Sequence, residues 1–196
     1  MGKVVFVIPG YGEKKSSRRA YAHIENAFKK RGYKTFVAPV TWLRHTMSDY
    51  VVEFVTFARS KIKRGDRIVM QGFSFGAVIA LMSAHEIMTN NLLLCSLSPF
   101  FKQDLAATRR TWKSADKVMG KARMKDLARL DFGRFTKPGG RVTLLLGAKE
   151  VGTVEQRVKD AHKRIKGSKL VVIPGAKHDI GNPDYLTAIK SEIFRL

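Results

Sequence analysis

Short apolar runs alternate with longer stretches of helical periodicity along the whole chain. The runs are KVVFVIPG, KTFVAPV, DRIVMQGF, NLLLCSLS, RVTLLLGA and KLVVIPGA. They are continuous in apolar residues, which marks strands buried on both faces rather than half-exposed ones. The intervals 17–31, 48–64, 75–88, 154–166 and 183–196 read as helices, with Val51, Phe54, Val55 and Ala58 spaced at i, i+3, i+4, i+7. Ser48 and Asp184 are the expected N-terminal caps. Strands separated by helices give an α/β chain, a doubly wound and mainly parallel sheet of about six strands with helices on both faces. One domain over residues 1–196 is the expectation.

Two features interrupt the rhythm. KKRGYK, KIKRGDR and KRIKGSK each set basic residues before Gly32, Gly65 or Gly167. Glycine supplies a left-handed helix stop and a cation in the last turn complements the negative helix end, so these joints have a structural reason to be basic. Between the fourth and fifth runs, residues 100–138 contain no strand-like segment. Leu105, Trp112 and Met119 recur every seven residues there, and Met124, Leu127 and Leu130 suggest a further helix. This insert is expected to form a helical lid.

The chain is long and apolar enough to bury a sizeable core without disulfides or metal. Its single cysteine, Cys95, lies inside an apolar run and reads as a buried, inert thiol, which fits a reducing compartment. The first apolar run is short and ends in Pro-Gly, so it reads as a strand rather than a leader, and no run approaches the length of a membrane span. Cytoplasmic placement is the expectation. The formal charge of +21 is far from that of a typical small domain and raises the question of an anionic partner or surface.

In the third run, Gly72-Phe73-Ser74-Phe75-Gly76 fits G-x-S-x-G between a predicted strand and a predicted helix, the setting that the nucleophile pattern requires. A serine hydroxyl is a weak nucleophile and needs a base, which itself needs an orienting group. Of the five histidines, His23, His85 and His162 fall in predicted helices and His45 in the loop after the second run. His178 follows the last run, at the carboxyl edge where ligands collect in open parallel sheets. Glu150 ends the strand before it, so Ser74, Glu150 and His178 stand in the order nucleophile, acid, base, each at a different strand end. No histidine or cysteine cluster has metal-ligand spacing, and no metal or organic cofactor is expected.

On these residues the chain resembles the α/β-hydrolase superfamily, in particular its small, esterase-like serine hydrolases with a minimal core. The resemblance runs from the first strand to the final helix, with the insert as its least secure part. It implies that the loop PGYG after the first strand reaches the active site, with the backbone N–H of Tyr11 and that of Phe75 forming an oxyanion hole. Gly10 and Gly12 would permit the close approach. Pro9 stands where many relatives carry histidine, and the acid is more often Asp than Glu. Because some relatives draw the acid from the preceding loop, Asp104 is the alternative. Asp179, adjacent in sequence to the histidine, is a poor one.

The implied activity is cleavage of small-molecule carboxylic esters or thioesters through an acyl-enzyme. Tyr11, Trp42, Phe73, Phe100 and Trp112 are the expected aromatic wall. Lys14, Lys15, Arg18 and Arg19 enter a helix N-terminus, where the dipole disfavours cations, and Arg109, Arg110, Lys113, Lys117, Lys121, Arg123, Lys125 and Arg129 populate the insert. They suggest a positive rim for anionic substrates, set against a merely solvated lid surface. Two other readings stay open: a hydrolase-fold protein whose main role is binding nucleic acid or another polyanion, and an acyltransferase using the same triad. Nothing in the sequence fixes the oligomeric state.

Overall fold

The computed structural model describes residues 2–12, 15–42, 45–111 and 115–196, with side chains at all of these except 15, 16, 111 and 115–119. Among the described residues, six strands form one wholly parallel sheet: β1 (Lys3–Ile8), β2 (Lys34–Val37), β3 (Arg67–Phe73), β4 (Asn91–Cys95), β5 (Arg141–Gly147) and β6 (Lys169–Ile173). Each of the six apolar runs became a strand. Their order across the sheet is β2-β1-β3-β4-β5-β6, with Phe6 of β1 in register with Phe36 on one side and Met70 on the other.

The connections are α1 (Lys15–Lys30), α2 (Met47–Arg59), α3 (Phe75–Ile87), α4 (Leu105–Thr111), α5 (Ala115–Leu127), α6 (Gly152–Arg164) and α7 (Pro183–Phe194). Alternate residues of β1 divide between two cores. Val4, Phe6 and Ile8 pack with α2, α3, α6 and Met124, Leu127 and Leu130 of the insert. Val5 and Val7 pack with Tyr21, Ile24 and Phe28 of α1 and with Tyr185, Ile189 and Ile193 of α7. This division follows from handedness. The step from β1 to β2 runs one way along the sheet and the later steps run the other, so right-handed crossovers put α1 on the opposite face from α2, α3 and α6. The reversal falls between β1 and β3, which opens a crevice at their carboxyl ends.

Several helix ends differ from expectation for local reasons. Thr46, not Ser48, caps α2: its hydroxyl accepts from Asp49 N–H while the Asp49 carboxylate accepts from Thr46 N–H. The Thr46 N–H and hydroxyl, both donating to Asp49 Oδ2, hold the Asp49 carboxyl below its ordinary value. Ser48 instead bonds Asp126 of α5 through both its N–H and its hydroxyl. Asn182, not Asp184, caps α7, accepting from the N–H groups of Asp184 and Tyr185. The helix α2 closes at Arg59, so Gly65 lies in the turn into β3 rather than stopping the helix. Gly32 does stop α1: at φ +78° it lets Tyr33 N–H reach the Phe28 carbonyl and its own N–H the Lys29 carbonyl.

The insert holds α4, α5 and two 3-10 turns, Lys102–Asp104 and Phe132–Phe135. Gly120, with φ +74° and ψ 166°, breaks α5 into two pieces. Trp112 lies outside the described residues, and so does the Met119 side chain, so the seven-residue spacing keeps only Leu105, which packs against the first core. No helix among the described residues is long and apolar enough to cross a membrane. Cys95 is fully buried, and burial pushes its thiol up to about 12.

Candidate active site

The turn from β3 into α3 places a non-glycine residue at positive φ. Ser74 sits at φ 56° and ψ −119°, a conformation that costs a non-glycine residue about 1–3 kcal/mol. Close backbone contact holds it there. A Cβ on Gly72 would drive into the Gly76 carbonyl, and one on Gly76 into the Ile8 carbonyl. The two glycines therefore let three chain segments meet without side chains between them. Ser74 N–H donates to the Cys95 carbonyl oxygen at 2.9 Å, tying the turn to β4.

The strand ends bring the three residues singled out in the sequence within hydrogen-bond reach. His178 Nε2 lies 3.0 Å from Ser74 Oγ, and His178 Nδ1 lies 2.7 Å from Glu150 Oε2. Nδ1–H donating to the carboxylate leaves Nε2 as an acceptor facing the hydroxyl. The Glu150 side chain has no exposure, whereas His178 keeps 32% of its own. Phe73 packs against the imidazole, with ring centroids 5.0 Å apart.

Three further residues complete the arrangement, and none was visible as a motif. Ser98 Oγ lies 3.0 Å from Ser74 Oγ, which therefore has a second polar neighbour besides the imidazole. Ser96, at φ 48°, donates its hydroxyl to Glu150 Oε1. The Tyr185 hydroxyl lies 2.7 Å from Ser96 Oγ and donates to the Leu145 carbonyl oxygen at 2.9 Å. Complete burial raises the Tyr185 hydroxyl well above its ordinary value, so it stays protonated. Both oxygens of Glu150 are thus engaged, one by the imidazole and one by Ser96.

Asp104, the alternative acid, is committed elsewhere. It is joined to Arg157 by three hydrogen bonds, with Nε 3.0 Å from each carboxylate oxygen, and accepts from Phe101 N–H at 3.0 Å. Burial raises its pKa and Arg157 opposes that shift. The guanidinium also lies over the rings of Phe132 and Phe101, at 4.5 and 5.4 Å. Asp179 accepts from Gly181 N–H within its own turn. His45 faces Glu53, and His162 lies against Ser168.

Tyr11 follows β1 in the loop that contacts the nucleophile turn: a Cβ on Gly10 would meet Phe73 and Ser74 at 3.1 Å. Phe75 is the first residue of α3, so no carbonyl of the helix precedes its N–H. Of the five rings expected to form an aromatic wall, Trp112 lies outside the described residues and Phe73 packs on His178 and Tyr185. Tyr11, Trp42 and Phe75 form a cluster with centroids 6.0 Å apart, and Phe100 packs against Phe75 at 5.2 Å. Phe75, expected only to lend its N–H, is the ring that contacts all three of the others. Of the expected rim cations, Arg18 and Arg19 are exposed on α1, whereas Lys14 and Lys113 lie outside the described residues.

No family model matches the sequence, and no curated protein matches it. Solved structures do. Est1E from Butyrivibrio proteoclasticus superposes with a TM-score of 0.78 over 99% of this chain and 86% of its own, at 16% identity. A putative hydrolase from Agrobacterium vitis S4 gives 0.81 over 99% and 87%, at 13% identity. An esterase of Pyrococcus furiosus gives 0.70 over 98% and 81%, at 17% identity. The chain has the α/β-hydrolase fold. In this hydrolase-fold protein the parallel sheet, the reversal between β1 and β3 and the strained serine turn fall where such a fold needs them.

Proposed function

We propose that the protein is a serine hydrolase that cleaves carboxylic esters or thioesters. The observation that carries this reading is the hydrogen-bonded series Glu150, His178, Ser74, at 2.7 and 3.0 Å, ending on a serine held in a strained turn. Ser74 Oγ attacks the carbonyl carbon while its proton passes to His178 Nε2. The backbone N–H groups of Tyr11 and Phe75 receive the oxyanion, each such donor being worth on the order of a hundredfold in rate. Collapse breaks the bond to the leaving alkoxide or thiolate, which takes the proton from His178. A water deprotonated by His178 then attacks the Ser74 acyl ester, releasing the carboxylic acid and restoring the hydroxyl. Glu150 holds the imidazole in the productive tautomer and stabilises its charged form, and Ser96 holds Glu150.

The aromatic cluster of Tyr11, Trp42, Phe75 and Phe100 suits a flat acyl or aryl group. One solved structure of Est1E holds ferulic acid, an observation in keeping with that choice. The exposed cations Arg18 and Arg19 in the first turns of α1, the helix that follows the Tyr11 loop in sequence, would favour an anionic substituent at low salt. The test is labelling with a fluorophosphonate, comparing wild type with Ser74→Ala, followed by turnover of aryl and alkyl esters and thioesters, neutral and carboxylated. Labelling of wild type alone, with aryl ester turnover, is expected. Labelling that survives in Ser74→Ala, or labelled protein with no turnover of any ester or thioester, overturns the proposal.

A further inference from the structure

At the opposite edge of the sheet, the start of β5 and the end of α6 enclose a cavity of about 550 Å³. Its lining includes Lys137, Arg141, Arg164 and Lys166, with Val142 and Ile165 buried among them. Two of the cations, Arg164 and Lys166, belong to the helix end and answer its dipole. Lys137 and Arg141 come from a loop and a strand start, where no dipole asks for them.

Other strands also begin with a cation, but those cations are engaged. Lys3 reaches the Arg31 carbonyl and the Tyr33 ring, Arg67 bonds the Leu196 carbonyl, Lys169 pairs with Glu192, and Lys34 covers Phe36. The carboxylates are engaged as well: Asp66 takes the N–H groups of Gly2 and Lys63, and Asp160 pairs with Arg157 and Arg164. Among the described residues, Lys137, Arg141 and Lys166 have no acidic partner. Exposed cations also stand at the other helix ends of this edge, Lys30 and Arg31 at the end of α1 and Lys63 and Arg64 after α2, but Lys137, Arg141 and Lys166 share one concave lining. Pro138, Gly139 and Gly140 bring Lys137 and Arg141 to the same wall, and Gly139 and Gly167, both at positive φ, leave the backbone open there.

We propose that this cavity binds a small organic phosphate, its dianion among Lys137, Arg141 and Lys166 and its apolar body on Val142 and Ile165. A small ligand is favoured over a nucleic acid strand because three cations without an acidic partner share the lining of one cavity of about 550 Å³ that also reaches Val142 and Ile165. The site is far from Ser74 and does not depend on the hydrolase reading.

The experiment uses Ser74→Ala protein, so that no turnover at the other edge interferes, and amide NMR titrations with phenyl phosphate, inorganic phosphate and phenol at constant ionic strength. Saturable shifts at Gly139, Gly140 and Gly167 are expected with phenyl phosphate, weaker binding with inorganic phosphate, and none at these amides with phenol. Lys137→Gln with Arg141→Gln should weaken phenyl phosphate about tenfold or more, as loss of charge-assisted bonds does. Lys29→Gln with Lys30→Gln, which removes the same charge from another joint, should change it less than about twofold. Equal weakening by both pairs would reduce the effect to overall charge and overturn the site. So would the absence of shifts at the three glycines, equal binding of inorganic phosphate, or short single-stranded DNA shifting the whole edge where phenyl phosphate does nothing.

Discussion

Glu150 and Asp104 are both sheltered carboxylates in the segments that follow neighbouring strands, yet their surroundings could hardly differ more. Asp104 faces a permanent cation: Arg157 is nearly inaccessible at 3% exposure and grips both carboxylate oxygens. Glu150 faces an imidazole on one oxygen and a serine hydroxyl on the other. A carboxylate locked to guanidinium can only hold things together, since arginine never gives up its proton. One bonded to imidazole can stabilise a charge that comes and goes. Burial alone does not identify an orienting acid; the protonation chemistry of its partner does.

That contrast makes predictions of graded size. Glu150→Gln, which keeps the shape but loses the charge and the tautomer preference, should lower kcat/KM for an aryl ester by about 10³- to 10⁴-fold, with little change in thermal stability. A loss below about tenfold would mean that the imidazole is oriented by something else. Asp104→Ala should do the reverse, costing about 3–5 kcal/mol of unfolding free energy in a denaturant titration by stranding Arg157, while turnover per folded molecule holds. Should activity collapse instead, Asp104 would have to be reconsidered as the acid. Tyr185→Phe removes a hydroxyl that supports Ser96 and should cost about 1 kcal/mol in the barrier to acyl transfer, seen in kcat rather than KM. The cap variant Thr46→Ala, remote from both acids, should cost about 1 kcal/mol of stability and nothing in turnover.

The strands and the serine turn were legible because their signals are local. A run such as NLLLC can be buried on both faces only in a sheet covered on both sides, and Gly72 and Gly76 bracket a backbone that tolerates no Cβ. His178 and Glu150 were legible through strand order, because a parallel sheet gathers all its carboxyl ends at one edge. Ser96, Ser98 and Tyr185 were not. Two are ordinary serines in the run and loop around β4, and Tyr185 sits on a helix on the far face, so only the three-dimensional path of the chain reveals their partners. The α2 cap was misplaced for a similar reason. Ser48 is a good cap by type, but it is drawn to Asp126 from a helix 78 residues away, and Thr46 with Asp49 closes the first turn instead. Isolated charges were hardest to read: the basic joints looked alike in sequence, and only ion pairing separates Lys166 from Lys169.

Gly76 rests against the main chain of Ile8, with no room for a methyl group between them. The spacing between the turn that presents the hydroxyl and the end of β1, from which the Tyr11 loop departs, is therefore a property of peptide units in contact and not of any rotamer. Exchanging the surrounding rings for larger or smaller ones can then reshape what the crevice admits while leaving that spacing untouched, which makes the wall of this crevice a safe place for sequence to vary.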